Sequence, residues 1–545
     1  MAACASPSAV TERARPLDPA VFAPDSTLAV PSVPDPGVPG SSTPATTATP
    51  PETPTGTSPG TSPDSSPGTS PGTSPGTSPD TGTLPGTDAP ASTLPADVST
   101  TIGDRRFPTL GSAGIDVEHY DVALTYDPID PLALDSTVTI TGHVTADADT
   151  LSFDLDGPIV ARAVVDGRPV EVEQDGRDLL VPLPARATAG DRFTATFDVS
   201  ARLADHGVYG DEAGVFAGDD GIWSVNEPDG VSTWMPANDH PTDKATWTFE
   251  LTVPSGLTGI ANGRLAGRED HADSTTWTWD QDEPMASYLA LVLVGRYDLV
   301  DDGSTPSGVE LQHAVMSDRR ADLDPYLAVT RDQIAYFEGL VGPYPFERYG
   351  LAIADSQPGL AMETQGKALF STADLDGRLG ELQHLLLAHE LAHQWFGDAV
   401  SPATWDDIWL NEGFATYFQW IWLDHVGLRS VGSSATLALV SLPPGGGPLS
   451  QPDELFGRVS YDRGAAVLHA LRITIGDDAF FEALRTWVET YDGTSATTDD
   501  FQRLVEQVSG ADLGDFFAIW VHAPDVPREL PAAPRNTLSA RALEP

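Results

Sequence analysis

Two histidines four residues apart, with a glutamate directly after the first, stand at His389-Glu390-Leu391-Ala392-His393. Around them Leu382, Leu385, Leu386, Ala388, Leu391, Ala392 and Trp395 recur at three- and four-residue intervals, which predicts a buried helix between Glu381 and Phe396. On a helix this spacing stacks both imidazoles on one face, within reach of a single tetrahedral cation, and aims Glu390 toward the open coordination position. Eighteen residues after His393 comes Glu412, in Trp409-Leu410-Asn411-Glu412-Gly413-Phe414-Ala415, a segment that starts another helix. Two imidazoles and a carboxylate, with water in the fourth place, form the donor set of a catalytic rather than a structural zinc site. The single cysteine, Cys4, leaves no thiolate cluster as an alternative.

These residues need a scaffold, and only part of the 545-residue chain can supply one. The first hundred residues are dominated by Pro, Thr, Ser, Gly and Ala, too poor in bulky apolar side chains to offset the entropy of ordering the backbone. Within them, positions 56–79 hold six consecutive four-residue units, mostly Gly-Thr-Ser-Pro, the composition of a solvated spacer. From Phe107 to Val300 the chain reads as strands: Tyr120–Tyr126, Thr137–Val144, Leu151–Leu155, Thr194–Val199 and Thr246–Val253 are β-rich stretches between Gly, Pro, Asp and Asn punctuation. Short strands without helical periodicity between them predict an antiparallel sandwich. The longest apolar run, Met285 to Val294, is expected to be one buried strand, well short of the roughly 18 to 20 residues that cross a bilayer. Helices are expected again at Asp478–Tyr491 and Asp499–Val508.

Charge narrows the partners. With 80 acidic and 29 basic residues the net charge is −51, which rules out phosphate-backbone affinity, and hence nucleic acid, as the primary activity. Lys244 and Lys367 are the only lysines. At the amino terminus, Met1-Ala2-Ala3-Cys4 before a polar, Pro-rich segment resembles the end of a bacterial lipoprotein signal. The expectation is a protein outside the cytoplasm, secreted or lipid-anchored at Cys4, if translation starts upstream of Met1, and a cytoplasmic one otherwise.

Taken together, His389-Glu390-x-x-His393 and Glu412 within Asn-Glu-Gly-Phe-Ala resemble the aminopeptidase N family of gluzincin metallopeptidases. Gly359-Leu360-Ala361-Met362-Glu363-Thr364 is similar to that family's Gly-x-Met-Glu-Asn exopeptidase motif, and Val225-Asn226-Glu227-Pro228 to its Gln-x-Glu block. Tyr461-Asp462-Arg463-Gly464 occupies the place of the family's catalytic tyrosine, and Trp234 to Lys244 and Trp395-Phe396-Gly397-Asp398 fit as well. The resemblance covers about Phe107 to Leu530. It implies an α+β multidomain fold, a β-sandwich over 104–300 followed by a thermolysin-like α/β zinc peptidase domain over 301–530; composition sets a disordered tether over 1–103 before them, and a tail over 531–545 follows.

The resemblance also implies roles. His389, His393 and Glu412 would hold one Zn2+ per chain, Glu390 would act as general base and then acid, and Tyr461 would donate to the oxyanion. Glu227 and Glu363, with Ala361 and Met362 beside them, would bind peptide substrates through the free N-terminal amine, making the enzyme an aminopeptidase and most simply a monomer. Three departures touch this reading: Leu360 and Thr364 replace the motif's Gly and Asn, and Val225 stands where Gln is usual. Many family members continue into further domains, whereas this chain ends soon after Pro531, so a more open cleft is expected. The alternatives are a related gluzincin endopeptidase or epoxide hydrolase, or a tethered, catalytically weak peptide-binding module.

Overall fold

The computed structural model describes residues 101–205, 213–218, 221–356 and 361–532; Cys4, the spacer repeats, Gly359-Leu360 and the tail from 533 lie outside them. Alternation builds the first half. The strand Ile115–Tyr126 turns Ile115, Val117, Tyr120, Val122, Leu124 and Tyr126 into the core. It sits inside an eight-stranded sheet whose order is 264–270, 274–286, 244–254, 115–126, 133–144, 192–202, 159–165 and 168–170. A second sheet of five strands runs in the order 258–261, 292–295, 222–225, 214–217 and 204–205, and a three-stranded sheet carries 148–154, 178–187 and 173–175. At the centre Tyr120 stacks on Trp247 at 4.1 Å between ring centroids, and Trp247 on Phe249 at 5.5 Å.

Two expectations need correction. The sandwich is not purely antiparallel: 115–126 pairs antiparallel with 133–144 (Val122 with Val138) but parallel with 244–254 (Val122 with Phe249). Parallel neighbours require a long crossover, and the whole second sheet's first strands lie between Tyr126 and Lys244. The run Met285 to Val294 is not one strand: the first sheet keeps it to Ala286, a 3-10 turn spans Ser287–Leu289, and Val292–Gly295 joins the second sheet. Every residue of that run is buried, so its hydrophobicity carries no period. Ser287 Oγ donates to Asp239 Oδ1 at 2.7 Å and Asn262 Nδ2 to Leu289 O at 3.0 Å, which gives the buried turn its polar partners.

The second half begins with a sheet in the order 297–304, 310–316, 351–354, 368–371 and 361–362. Helices follow and flank it: α1 (Arg320–Val341), α2 (Glu381–His393), α3 (Trp409–His425), α4 (Val431–Ser441), α5 (Gly464–Ile475), α6 (Asp477–Tyr491), α7 (Thr498–Ser509) and α8 (Gly514–Trp520). In α3 every residue from Trp409 to Leu423 is buried, as expected for a helix apolar on all sides. The segment before the first strand is anchored on this half. Asp104 accepts from the Trp405 N–H at 2.7 Å, and the Arg105 guanidinium makes two 2.6 Å contacts with Asp406.

One helix contact has no room for a side chain. A Cβ on Gly413 would lie 2.8 Å from Gly464 Cα, and a Cβ on Gly464 2.7 Å from Gly413 Cα. Backbone meets backbone here, one residue beyond Glu412 on α3 and directly after the π-helical turn Val459–Arg463 that carries Tyr461. Gly413→Ala is therefore expected to overpack this contact at a cost of about 1–3 kcal/mol. Calorimetry should show a melting temperature lower by several degrees; an unchanged melting temperature would mean that the two elements have slack.

Candidate metal centre

Both histidines are delivered by α2, whose last nine residues, Leu385 to His393, are all buried. The helix starts where the Gln383 side chain accepts from the Gly380 N–H at 3.0 Å, and beyond His393 the chain turns away at Gly397, with φ +134°. A Cβ on Gly397 would lie 3.2 Å from the Asn411 side chain and 3.3 Å from His393 Nδ1, so glycine lets this loop close against the imidazole. His389 Nδ1 lies 3.1 Å from Gln419 Oε1 and His393 Nδ1 3.2 Å from Phe396 O. Amide and carbonyl oxygens only accept, so each Nδ1 carries the proton and each Nε2 presents a lone pair inward.

Those lone pairs face a carboxylate. Glu412 Oε2, supplied by α3, lies 3.3 Å from His389 Nε2 and 3.6 Å from His393 Nε2, and one ligand atom from each of the three residues falls within 4.8 Å of the others. Acceptors aimed at one another require a positive charge between them. Burial alone would lower the His393 pKa, but the Glu363 and Glu412 carboxylates hold it up at about 10. Burial would raise Glu412, yet His393 and His389 hold it down at about 2. A divalent cation on the three donors takes over the charge that a proton otherwise supplies, so the residues present fit the metal that their types imply.

More carboxylates crowd the same space. Ligand atoms of Glu363, Glu390 and His393 form one group within 4.8 Å, and those of Glu227, Glu363 and Glu412 form another. Both Glu390 oxygens, Oε1 of Glu363 and of Glu227, both Asp398 oxygens and the Tyr461 hydroxyl are buried without a protein hydrogen-bond partner. Such atoms mark places kept for something the polypeptide does not provide. Burial drives Glu390 and Glu227 well above the usual carboxylate range, and neighbouring carboxylates add to the effect. Burial likewise raises Tyr461, reinforced by Glu412, so its hydroxyl stays a neutral donor; its ring lies nearly parallel to that of His389 at 5.9 Å.

The structure brings the predicted residues together. Ala361 and Met362 form a two-residue strand that pairs with Phe370 and Leu369, which places Glu363 Oε1 3.9 Å from His393 Nδ1. Asn226 accepts from Trp234 Nε1 at 3.1 Å and donates to Ala290 O at 2.7 Å, fixing the backbone just before Glu227. Sequence reasoning passed over several supports. Lys244 Nζ, from the sandwich, donates to Asp398 O at 2.7 Å and Ala399 O at 3.0 Å; burial lowers its pKa to about 7. Arg463 is 2% exposed and donates to the carbonyls of Gly447, Trp520, Ala523 and Pro524, which locks the Tyr461 turn to the end of α8 and the chain beyond it. The rarity of lysine was the one available signal for Lys244; nothing local marked Arg463, Gln394, Gln419 or Asn411.

Comparison with known proteins agrees with this architecture. Residues 116–289 match the Peptidase M1 N-terminal domain, and residues 327–441 and 447–520 match the Peptidase family M1 domain. The M1 zinc metallopeptidase of Deinococcus radiodurans superposes with a TM-score of 0.71 at 30% identity, over 80% of this chain and 99% of that one. The chain belongs to peptidase family M1, with a β-rich N-terminal domain and a mixed α/β catalytic domain, and the metal that the family implies is zinc. Aminopeptidase M1-C of Oryza sativa subsp. japonica is 29% identical over 318 residues, 54% of this chain and 36% of the relative. Probable aminopeptidase 1 of Sulfurisphaera tokodaii is 24% identical over 434 residues, 76% of this chain and 54% of the relative. The chain thus spans about a third to a half of the length of these curated relatives. Among the described residues no helix is long and apolar enough to cross a membrane.

Because a metal at this cluster binds the folded and not the unfolded chain, saturation at 100 times its dissociation constant adds about 2.7 kcal/mol of stability. Chelator-treated protein should melt several degrees below the zinc-loaded form in a thermal scan. Coincident melting curves would show that the cluster holds no zinc in the native state.

Proposed function

We propose that this protein is an aminopeptidase that hydrolyses the first peptide bond of peptides, using one zinc ion per chain held by His389, His393 and Glu412. The observation that carries the reading is the pair Glu227 and Glu363. Each keeps a buried, unpartnered carboxylate oxygen, and both group with Glu412 within 4.8 Å. Two carboxylates on one side of the metal donors bind the α-ammonium of a substrate and leave room for a single residue before the bond that is cut. Relatives support this direction. The Deinococcus radiodurans enzyme, in mutant form, has been crystallised with a Tyr-Ser-Ala substrate, and a two-domain M1 zinc metallopeptidase with L-arginine and with L-tryptophan.

Bound zinc supplies Lewis acidity, which polarises the carbonyl and makes water a nucleophile near neutral pH. The chain's own residues do the rest. Glu390, with both oxygens free of protein partners, takes the proton of the attacking water and hands it to the departing amine. Tyr461 keeps its proton and donates to the oxygen that becomes negative as the carbonyl turns tetrahedral. Ala361 and Met362 present the edge of a short strand alongside the substrate backbone. The sandwich, over about 104–300, supplies Glu227, and the peptidase domain, over about 301–530, supplies the remaining groups. The spacer and Cys4 support work outside the cytoplasm, secreted or lipid-anchored, if translation starts upstream of Met1, and a cytoplasmic enzyme otherwise.

Glu390→Gln should keep its zinc and lose at least about 10²–10⁴-fold in kcat, the range general base catalysis supplies. Zinc analysis and steady-state kinetics on the same sample check this, and near-parental turnover by metal-replete variant would remove Glu390 from the role. The aminopeptidase reading itself is tested on the full chain with paired aminoacyl fluorogenic amides, free and N-acetylated. Only the free series should be cleaved; equal cleavage of both would leave an endopeptidase.

A further inference from the structure

The residue after the second zinc-ligating histidine points away from the metal and is fully buried: Gln394 shows no exposed surface. Its side chain has specific partners. Nε2 donates to Glu363 O at 3.0 Å, Oε1 accepts from the Gly366 N–H at 2.8 Å, and the Tyr344 hydroxyl, whose one proton is shared between Gln394 Oε1 and Arg348 O, lies 3.1 Å from each. Reversing the amide would set its NH2 against an N–H and its oxygen against a carbonyl, so the network admits one orientation. One side chain thus clamps both ends of the Glu363–Gly366 turn to the end of α2.

That clamp acts on a short strand. Ala361–Met362 makes only two pairs with its neighbour. After Glu363, Thr364 and Lys367 close a tight turn through the Lys367 N–H to Thr364 O bond of 3.0 Å, and Asn262 Nδ2 donates to Gln365 O at 3.0 Å. Gln394 is the contact in this set that comes from the metal-bearing helix itself. It ties the Glu363 backbone to the residue that directly follows His393, and Glu363 Oε1 lies 3.9 Å from His393 Nδ1.

We infer that Gln394 is a positioning residue that holds the Glu363 carboxylate in register with the metal ligands, and so sets how strongly the enzyme demands a free substrate amine. The inference rests on the reading of Glu363 as an amine anchor. Its signature is an effect on recognition of the ammonium without loss of metal, because His389, His393 and Glu412 are carried by helices that Gln394 does not brace against one another.

The test compares parent enzyme, Gln394→Met and Tyr344→Phe as full-length holoproteins, by zinc content, kcat and KM on a free aminoacyl fluorogenic amide, and turnover of its N-acetylated form. Gln394→Met keeps the volume and removes all three bonds; it should retain parental zinc and kcat within about threefold, while KM rises at least about tenfold and the preference for the free amine shrinks to match. Tyr344→Phe removes one of the three bonds and leaves Glu363 held, so its KM should stay within about threefold of the parent. If Gln394→Met does not fold, Gln394→Ala removes the same side-chain bonds without adding bulk or charge, and should raise KM in the same way. Loss of zinc in step with activity, or unchanged KM and preference, would overturn the inference. A parent enzyme that cleaves free and acetylated amides equally would overturn the anchor reading itself, before any variant is compared.

Discussion

Everything about the centre follows from the cost of packing like charges where water cannot screen them. Glu227, Glu363, Glu390, Glu412 and Asp398 share one buried space with two imidazoles whose lone pairs point inward. Carboxylates this close cannot all ionise unless cations join them. In the proposed reading a zinc ion would answer for Glu412, and the ammonium of a substrate for Glu227 and Glu363. The cluster thus keeps unpartnered carboxylate oxygens both at the metal donors and beside them.

Holding such a cluster together falls to the rigid elements around it, and the two halves of the molecule share the work. Lys244 reaches from the sandwich to the carbonyls of Asp398 and Ala399; Tyr288 donates to Gly397 O at 3.1 Å, and Asn411 donates to the Tyr288 hydroxyl at 3.3 Å. The loop that follows His393 is therefore clamped by two residues of the other half. The Gly397 carbonyl accepts from Ser401 Oγ of its own half at 2.5 Å as well as from Tyr288, so the sandwich adds a second hold on a turn the catalytic half already closes. That second hold is what a β-rich domain with one site residue of its own, Glu227, adds to the catalytic half.

Much of this was legible in the chain. The histidine pair and Glu412 could be read because metal ligation demands particular residue types at helical spacing, and the strands at 115–126, 133–144 and 244–254 because one face of each is buried and the other is not. What the sequence concealed has a common cause. The parallel pairing of 115–126 with 244–254 and the break at Ser287–Leu289 depend on contacts between distant segments, and burial from every side erases periodicity. Gln394, Gln419, Asn411 and Arg463 act through backbone groups brought near by folding, so nothing in their immediate neighbourhood distinguishes them from ordinary polar residues.

The two lysines have a practical consequence of a different kind. Lys244 sits at the joint between the halves, and Lys367, 2% exposed, lies over the Trp279 ring at 4.0 Å and donates to Ala261 O, just after the turn that carries Glu363. A proteinase that cuts only after lysine therefore finds its two targets at the two places where the active site is assembled, Lys367 buried and Lys244 half-buried in the native molecule. Cleavage after Lys244 would report separation of the halves, and cleavage after Lys367 loosening of the Glu363 turn, so the chain carries its own pair of reporters on how often the centre comes apart.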